Sequence, residues 1–317
     1  MTTTLITAVG SSSAPAALES LRRLGHRVIG CDIYPKAWNL VSNQVDSFFQ
    51  SVLATDAESY IQQLLTMAET EKIDFIIPLT DVEVDALCSQ TAAFEEKGCK
   101  ICIPPKEAAL LCRDKLRMAQ FLSEKGVCQT IPTFSPYGYT PKKEEFPLML
   151  KPLHGRSSQA QAVVSSQEAF ASVLKNREDY ICQPFIDGKI YTVDAARDAF
   201  GNVQALTRCE LLRTVNGLGT TVEILPKHPL EKTACAIADA VGLIGAVNME
   251  FIGNDDGFWF LEVNPRFSGG IGFSCLAGMD VPMLHLFAHQ GRTLPDKQDI
   301  SPATMVRQIA PVITETH

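Results

Sequence analysis

The sequence predicts an α/β domain followed by an α+β region, and three features support this prediction. Short apolar runs alternate with helix-forming segments as far as about residue 105. Pro104 and Pro105 then interrupt the alternation. From residue 146 onward, short strand-like runs follow one another with frequent turns. Strands that alternate with helices imply a parallel sheet with covered faces, whereas successive short strands imply antiparallel pairing.

Hydrophobic periodicity and helix-stop residues define the N-terminal elements. Strands are predicted over residues 5–9, 27–33, 73–79 and 99–103, and helices over 15–24, 56–68 and 82–97. Gly10, followed by three serines, and Asp32 at the end of the second strand match half of a dinucleotide-binding fingerprint. The full G-x-G-x-x-G is absent, so a dehydrogenase-like use of this domain is the least favoured interpretation.

The second region begins with a single helix predicted over residues 106–125. Strands are predicted over residues 148–152, 162–165, 180–185, 189–196, 203–209, 221–224, 247–253 and 258–264, and helices over 229–241 and from 276 onward. The change of pattern predicts three domains, which span residues 1–105, 106–186 and 187–317.

Composition and charge exclude several classes of function. The 317 residues are 46% hydrophobic and 20% charged, with a formal net charge of −8. This acidity argues against nucleic acid or an anionic membrane surface as the main partner. No signal peptide and no run of about 18 apolar residues is found, so we expect a cytoplasmic protein. The ten cysteines are scattered, and the C-x-x-C pair Cys99–Cys102 lies in a strand-like run, which favours reduced thiols over a zinc or redox site.

The clearest chemical signal is a pair of strands that carry carboxylates. Residues two apart on a strand share a face, so Glu262 and Asn264 point to one side while Leu261 and Val263 point to the other. A three-residue loop, 255–257, with a left-handed Gly257 would place Glu250 directly opposite Glu262. Two carboxylates and an amide oxygen are hard ligands that suit Mg²⁺, with phosphates and water completing its shell.

A solvated polar face of an ordinary hairpin is the alternative interpretation of these residues. Polar side chains usually face water, and a register change of one residue would separate the acids. The surrounding aromatic residues, Phe251, Phe258, Trp259 and Phe260, favour a metal site, because a polar cluster among them is costly unless its charge is neutralised.

Two segments together resemble the metal-binding signature of the ATP-grasp superfamily. They are residues 262–270, EVNPRFSGG, and residues 248–251, NMEF. The likeness is strongest to proteins similar to the carbamoyl-phosphate synthetase large subunit and to the L-amino-acid ligases. It extends over the chain, because the N-terminal α/β region is similar to the family's pre-ATP-grasp domain. The resemblance implies that residues 106–186 form the small lobe of a two-lobed ATP-grasp fold and residues 187–317 the large lobe.

Further segments occur in the order that the family shows, and they imply roles for individual residues. Asp114-Lys115, Leu150-Lys151-Pro152, a loop at 154–158, a hinge at 181–188 and a strand at 191–194 resemble family elements. The implied phosphate contacts are Lys115, Lys151, Gly155, Arg156, Ser157 and Ser158, and the implied adenine contacts are Gln183, Pro184, Phe185 and Ile186. The implied metal ligands are Glu250, Glu262 and Asn264, and the implied catalytic residues are Arg266 and Arg213.

The implied activity is an ATP- and Mg²⁺-dependent ligase that joins a carboxylate to an amine or ammonia through an acyl phosphate and releases ADP and phosphate. Mn²⁺ is an alternative metal, and a homodimer is the implied assembly. Two departures from the family pattern motivate an alternative, a non-catalytic ATP-binding regulatory or accessory protein. The phosphate loop is poor in glycine, and Ile190 stands where many members carry a ribose-binding glutamate.

Overall fold

A computed structural model describes residues 1–155 and 160–316. Its N-terminal part contains the strands β1 (Thr3–Ile6), β2 (Arg27–Asp32), β3 (Ser47–Gln50), β4 (Phe75–Ile77) and β5 (Lys100–Ile101). They form a parallel sheet in the order β3-β2-β1-β4-β5. The predicted parallel α/β domain is therefore confirmed. β3 is an additional edge strand, a four-residue run with two phenylalanines that the sequence analysis did not assign to a strand.

The helices of this part are α1 (Ala14–Arg23), α2 (Ala57–Glu71), α3 (Asp81–Leu87) and α4 (Thr91–Glu95). The prediction of one continuous helix over 82–97 is wrong, because the chain leaves the helix after Leu87 and re-enters it at Thr91. A capping box starts α3: the Thr80 hydroxyl accepts from the Glu83 N–H, and the Glu83 carboxylate accepts from the Thr80 N–H.

The helix predicted over 106–125 is also two helices, α5 (Lys106–Arg113) and α6 (Lys115–Lys125). Asp114 separates them in an extended conformation, with φ −109° and ψ 99°. Its carboxylate caps α6 by accepting from the Arg117 N–H at 2.9 Å. The break has a functional consequence, since it puts Lys115 at the first position of a helix instead of in the middle of one.

The rest of the chain forms two antiparallel sheets. One contains β6 (Leu148–Pro152), β7 (Ala162–Val164) and β8 (Tyr180–Pro184) in the order β7-β6-β8, with α7 (Gln167–Leu174). The other contains β9 (Lys189–Arg197), β10 (Val203–Arg213), β11 (Gly219–Leu225), β12 (Gly245–Asn254), β13 (Gly257–Asn264) and β14 (Ala303–Val306), with α8 (Pro229–Val241), α9 (Ile271–Ala277) and α10 (Val281–His289). Its order is β13-β12-β9-β10-β11-β14. The α+β prediction is confirmed, and each sheet lies within one predicted domain, although the domain boundaries themselves stay a prediction.

One buried core joins the N-terminal part to the large antiparallel sheet. Leu18 and Leu21 of α1 belong to the same cluster as Leu284 of α10 and Phe267. The two parts therefore cannot separate without exposing apolar surface. In residues 1–155 and 160–316, no single helix has the length and apolar composition to cross a bilayer; α9 and α10 reach that composition only as a pair, and the pair is bent by 98°.

Candidate active site

A cavity of about 1040 Å³ lies where the three sheets meet. Its walls come from the segments that follow β1, β2, β3 and β4, from β6 and β8 of the small sheet, and from β12 and β13 of the large sheet. The carboxyl ends of parallel strands, at the point where the strand order reverses between β1 and β4, are the usual place for a ligand in such a sheet. Except for Lys115 and three residues outside the described ranges, every site residue that the sequence predicts lines this cavity.

The predicted opposition of the two carboxylates is confirmed, but by a different turn. Asn254 pairs with Gly257, so the loop contains two residues instead of three, and Gly257 has φ +144°, outside the left-handed helical region. The pairing would then place Leu261 opposite Glu250, but an irregularity in the register makes Leu261 an extra residue. This β-bulge puts Glu262 opposite Glu250. The expectation that Leu261 points away is wrong, because it lines the cavity.

Four oxygen-bearing side chains converge on one patch of this hairpin. Glu250 pairs with Glu262, and Asn248 pairs with Asn264. The Asn264 amide donates to Glu262 Oε1 at 3.1 Å, and Asn248 Oδ1 is buried without a hydrogen-bond partner. Asn248 was not among the predicted ligands, although its place two residues before Glu250 puts it on the same face of the strand. Among the described residues no three His, Cys, Asp or Glu side chains converge, so a cation here would depend on amide and phosphate oxygens as well as the two carboxylates.

Two lysines neutralise the carboxylate patch. The Lys115 ammonium lies 3.4 Å from Glu262 Oε2 and donates to the Gly155 carbonyl at 2.7 Å. Lys151, the last residue but one of β6, is only 5% exposed. Burial lowers the pKa of Lys151 to about 8, and the nearby Glu262 opposes that shift. Both predicted phosphate-binding lysines therefore lie beside the carboxylate pair, and Lys151 also lines the cavity.

The two glutamates have different electrostatic environments, which shift their pKa values in opposite directions. Burial, followed by the charge of Glu262, raises the pKa of the Glu250 carboxyl, and Arg213 opposes this. Burial would also raise the pKa of Glu262, but Lys115 and Lys151 hold it below its ordinary value. Glu262 is therefore the more strongly ionised member of the pair, and added positive charge would favour ionisation of both.

Arg266 is fixed by a residue that the sequence analysis did not identify. Its guanidinium donates to Asp81 Oδ2 at 2.7 Å, and Asp81 is 2% exposed at the first position of α3. Arg113 lies 3.6 Å from the other oxygen of the same carboxylate. Burial would raise the pKa of Asp81, but Arg266, Arg113 and Lys115 keep it below its ordinary value. The available signal was an acidic residue at the start of the helix that follows β4, near the carboxyl edge of the parallel sheet.

The second predicted arginine, Arg213, contacts the cluster through Glu250, to which it donates at 3.3 and 3.4 Å. Arg208, also on β10, is fully buried and pairs with Asp194 at 2.5 Å and with Glu210 at 3.1 Å. It also donates to Ser268 Oγ at 3.0 Å. Arg208 thus holds the loop that follows Arg266, and a side chain at Gly270 would meet its guanidinium at 2.9 Å.

The predicted adenine-binding hinge forms one wall of the cavity. Pro184, Phe185 and Ile186 line it, and Gln183 is held there by donating to Thr133 Oγ1 at 2.7 Å. The apolar side chains of this section include Ile131, Met149, Ile190, Ile252 and Leu261. Ile190 thus belongs to an apolar surface that suits the flat face of a base better than a ribose hydroxyl. Gly155 lines the cavity, whereas Arg156, Ser157 and Ser158 lie outside the described residues, so their predicted roles stay predictions.

Comparisons with known proteins agree with this architecture. Residues 5–102 match the family described as "PylC-like, N-terminal domain", and residues 176–312 match "ATP-grasp in the biosynthetic pathway with Ter operon". Among curated proteins, the chain is 28% identical over 276 residues to the formate-dependent phosphoribosylglycinamide formyltransferase of Burkholderia lata. That match covers 78% of this chain and 65% of the relative, so the chain spans just under two thirds of its length.

Solved structures show the same fold. N5-carboxyaminoimidazole synthetase from Staphylococcus aureus, complexed with ADP, has a TM-score of 0.73 at 16% identity, covering 97% of this chain and 82% of the other. An L-amino acid ligase from Bacillus licheniformis has a TM-score of 0.71 at 17% identity, covering 92% and 74%. The N-terminal parallel sheet, the two antiparallel sheets and both family matches agree with one another. The chain thus carries a PylC-like N-terminal domain at residues 5–102 and an ATP-grasp domain at residues 176–312.

Proposed function

We propose that this protein is a ligase that uses ATP and Mg²⁺ to join a carboxylic acid to an amine or ammonia. One observation carries the proposal: two carboxylates face each other across neighbouring strands, inside a cavity, with Lys115 and Lys151 beside them. Such an acidic pair surrounded by cations suits a complex of a divalent cation with an anionic nucleotide, because each charge is then neutralised.

The residues present fit a Mg²⁺ ion, with Mn²⁺ as an alternative. Asn248 Oδ1 is buried without a hydrogen-bond partner. The Glu250 carboxyl, two residues further along the strand, is buried next to the Glu262 carboxylate, and the repulsion between the two charges costs free energy unless a cation binds between them. Glu250, Glu262 and Asn264 would hold the ion, and Asn248 is a candidate fourth ligand. When bound, the ion neutralises charge on the phosphates and orients them.

In the proposed reaction, a carboxylate oxygen of the acid attacks the γ-phosphorus of ATP, and the bond from that phosphorus to the bridging oxygen breaks, which releases ADP. The amine nitrogen then attacks the acyl carbon, the carbon–oxygen bond to phosphate breaks, and the nitrogen loses a proton. Lys115 and Lys151 hold the phosphates. Arg266, held by Asp81, neutralises charge on the acid and on the transferring phosphoryl group.

Support for this chemistry also comes from the relatives, although their substrates differ from one another. The names of the proteins compared include a formate-dependent formyltransferase, a carboxyaminoimidazole synthetase and an L-amino acid ligase. These proteins share similarity to this chain, but their names indicate different reactions. We therefore carry over the class of reaction to this chain and no individual substrate. Small-molecule substrates, a homodimeric assembly and a cytoplasmic location stay predictions.

The test is substrate-dependent ADP release from mixtures of amino-acid pairs, measured for the wild type, Glu262→Gln and Glu223→Gln. Glu223 is an exposed glutamate of β11 in the same sheet and does not line the cavity, so it is the matched control. We expect Glu262→Gln to lose at least about a hundredfold in rate, the scale of one lost electrostatic contact to the transition state. Normal turnover by Glu262→Gln would refute the proposed site.

A second measurement separates the ligase from the non-catalytic alternative. Isothermal titration of ATP and Mg²⁺ reports nucleotide binding whether or not turnover follows. Binding that is weakened by Glu262→Gln, together with no ADP release from a broad panel of acids and amines, would favour a regulatory or accessory ATP-binding protein.

A further inference from the structure

The section of the cavity beyond the Glu250–Glu262 carboxylate pair has a composition of its own. It is formed by the segments after β1, β2, β3 and β4, at the carboxyl edge of the parallel sheet. None of the described residues before Pro104 that line it is Lys, Arg or His; its charged residues are Asp32, Asp81 and Glu83. A phosphate ester bound there would therefore meet carboxylates without a neutralising cation from this wall.

Asp32 gives this wall a negative charge that no neighbouring cationic side chain among the described residues neutralises. It is 5% exposed, and its two oxygens accept the backbone N–H groups of Gly10 at 2.7 Å and Tyr34 at 3.0 Å. Those bonds fix the carboxylate without cancelling its charge. The other two acids differ, because Asp81 is paired with Arg266 and Glu83 is hydrogen-bonded to Thr80 and Tyr60. Asp32 is the acid of this wall that favours a hydrogen-bond donor or an ammonium over an anion.

Four residues with apolar side chains near Asp32 in the sheet line the cavity and are partly exposed. Ile33 and Tyr34 follow β2 and are 38% and 49% exposed, and Val52 and Leu53 follow β3 and are 40% and 56% exposed. These two strands are neighbours in the sheet, so the four side chains belong to adjoining loops. An apolar ligand group would remove their surface from water, which a phosphate or a carboxylate would not do.

From this charge and surface pattern we infer that the organic substrate held against the N-terminal sheet carries an apolar side group and no phosphate, as an apolar amino acid does. The inference rests on the proposed ligase function for the reaction, but it concerns binding. The reacting end of the substrate lies at the Glu250–Glu262 pair and Arg266. Its side group lies over Ile33, Tyr34, Val52 and Leu53, and these residues set its specificity.

The test measures binding to the full chain saturated with ADP and Mg²⁺, by isothermal titration with L-leucine, L-phenylalanine and O-phospho-L-serine. We expect at least one apolar amino acid to bind, and O-phospho-L-serine to bind at least tenfold more weakly. Leu53→Ala should weaken the apolar ligand about tenfold, the effect of removing a few methyl and methylene contacts. Leu110→Ala is the matched control, since Leu110 is 40% exposed and does not line the cavity.

A second variant guards against a fold effect. Leu53→Lys adds a cation to this wall, so it should weaken the apolar ligand and strengthen O-phospho-L-serine. Tighter binding of O-phospho-L-serine than of every apolar amino acid by the wild type would overturn the inference, as would Leu53→Ala binding with wild-type affinity. Binding as expected without any ADP release would leave this inference standing and count against the proposed ligase function.

Discussion

Replacing Asp81 by Asn tests whether the N-terminal domain organises the chemistry of the large sheet. The substitution keeps the shape of the side chain and removes one negative charge. That charge is 2% exposed and lies 2.7 Å from Arg266 and 3.6 Å from Arg113, whose side chains are 17% and 12% exposed. The loss therefore leaves two largely buried guanidinium groups with less compensation.

The expected magnitude follows from this burial. Breaking a buried ion pair by removing one partner costs about 3–5 kcal/mol, and the amide of Asn still accepts one hydrogen bond, so we expect about 3 kcal/mol. Arg266 would also lose its fixed position. A displacement of about 1 Å at a reacting centre costs on the order of a hundredfold in rate, which we expect for substrate-dependent ADP release.

Asp85→Asn is the matched control, because Asp85 also binds Arg113, at 2.8 Å, but is 46% exposed and does not contact Arg266. A pair whose carboxylate is half-exposed to water contributes about 0.5 kcal/mol, so this variant should keep nearly full stability and activity. Urea unfolding followed by tryptophan fluorescence, together with ADP release, distinguishes the two variants. Equal loss of stability in both, or an Asp81→Asn rate within twofold of the wild type, would refute the reasoning.

Three further predictions address the nucleotide, the hinge and the effect of pH. Lys151→Met should weaken ADP–Mg²⁺ binding about tenfold in isothermal titration while leaving urea stability unchanged or higher, since a buried charge is removed; unchanged affinity would contradict its phosphate role. Gly188→Ala should cost about 1–3 kcal/mol in urea unfolding, because its Cβ would lie 2.6 Å from the Gly253 carbonyl oxygen, and an unchanged midpoint would show that the strands can separate freely. Burial lowers the pKa of His285 to about 4, so the unfolded chain binds a proton below pH 6.5 that the folded chain does not, and stability should fall by about 2 kcal/mol from pH 7 to pH 5. His285→Gln should remove this contribution from the slope, while buried His289, whose pKa burial also lowers, keeps its own; an equal slope in both proteins would exclude a contribution from His285.

Much of the fold could be predicted because it depends on local patterns. The boundaries of β6 and α8 agree with the predicted ranges, since a short apolar run and an amphipathic helix starting at Pro229 are both readable in the sequence. The prediction of one helix over 106–125 was wrong at Asp114. In the sequence, an aspartate that caps a new helix cannot be distinguished from a polar residue inside a continuous helix. Its consequence, Lys115 at the start of α6, places the ammonium beside Glu262.

The sequence by itself determined the chemistry available to this protein: carboxylates and amides alternating on two strands, with lysines and arginines elsewhere in the chain. Two features were decided only by the tertiary structure. The two-residue turn alone would have put Glu262 on the wrong face, and the bulge at Leu261 restores its place opposite Glu250. Asp81 meets Arg266 across 185 residues, because packing of the parallel sheet against the large sheet brings their ends together. Neither event leaves a local signal, since both depend on strand pairing and on a core shared by distant segments.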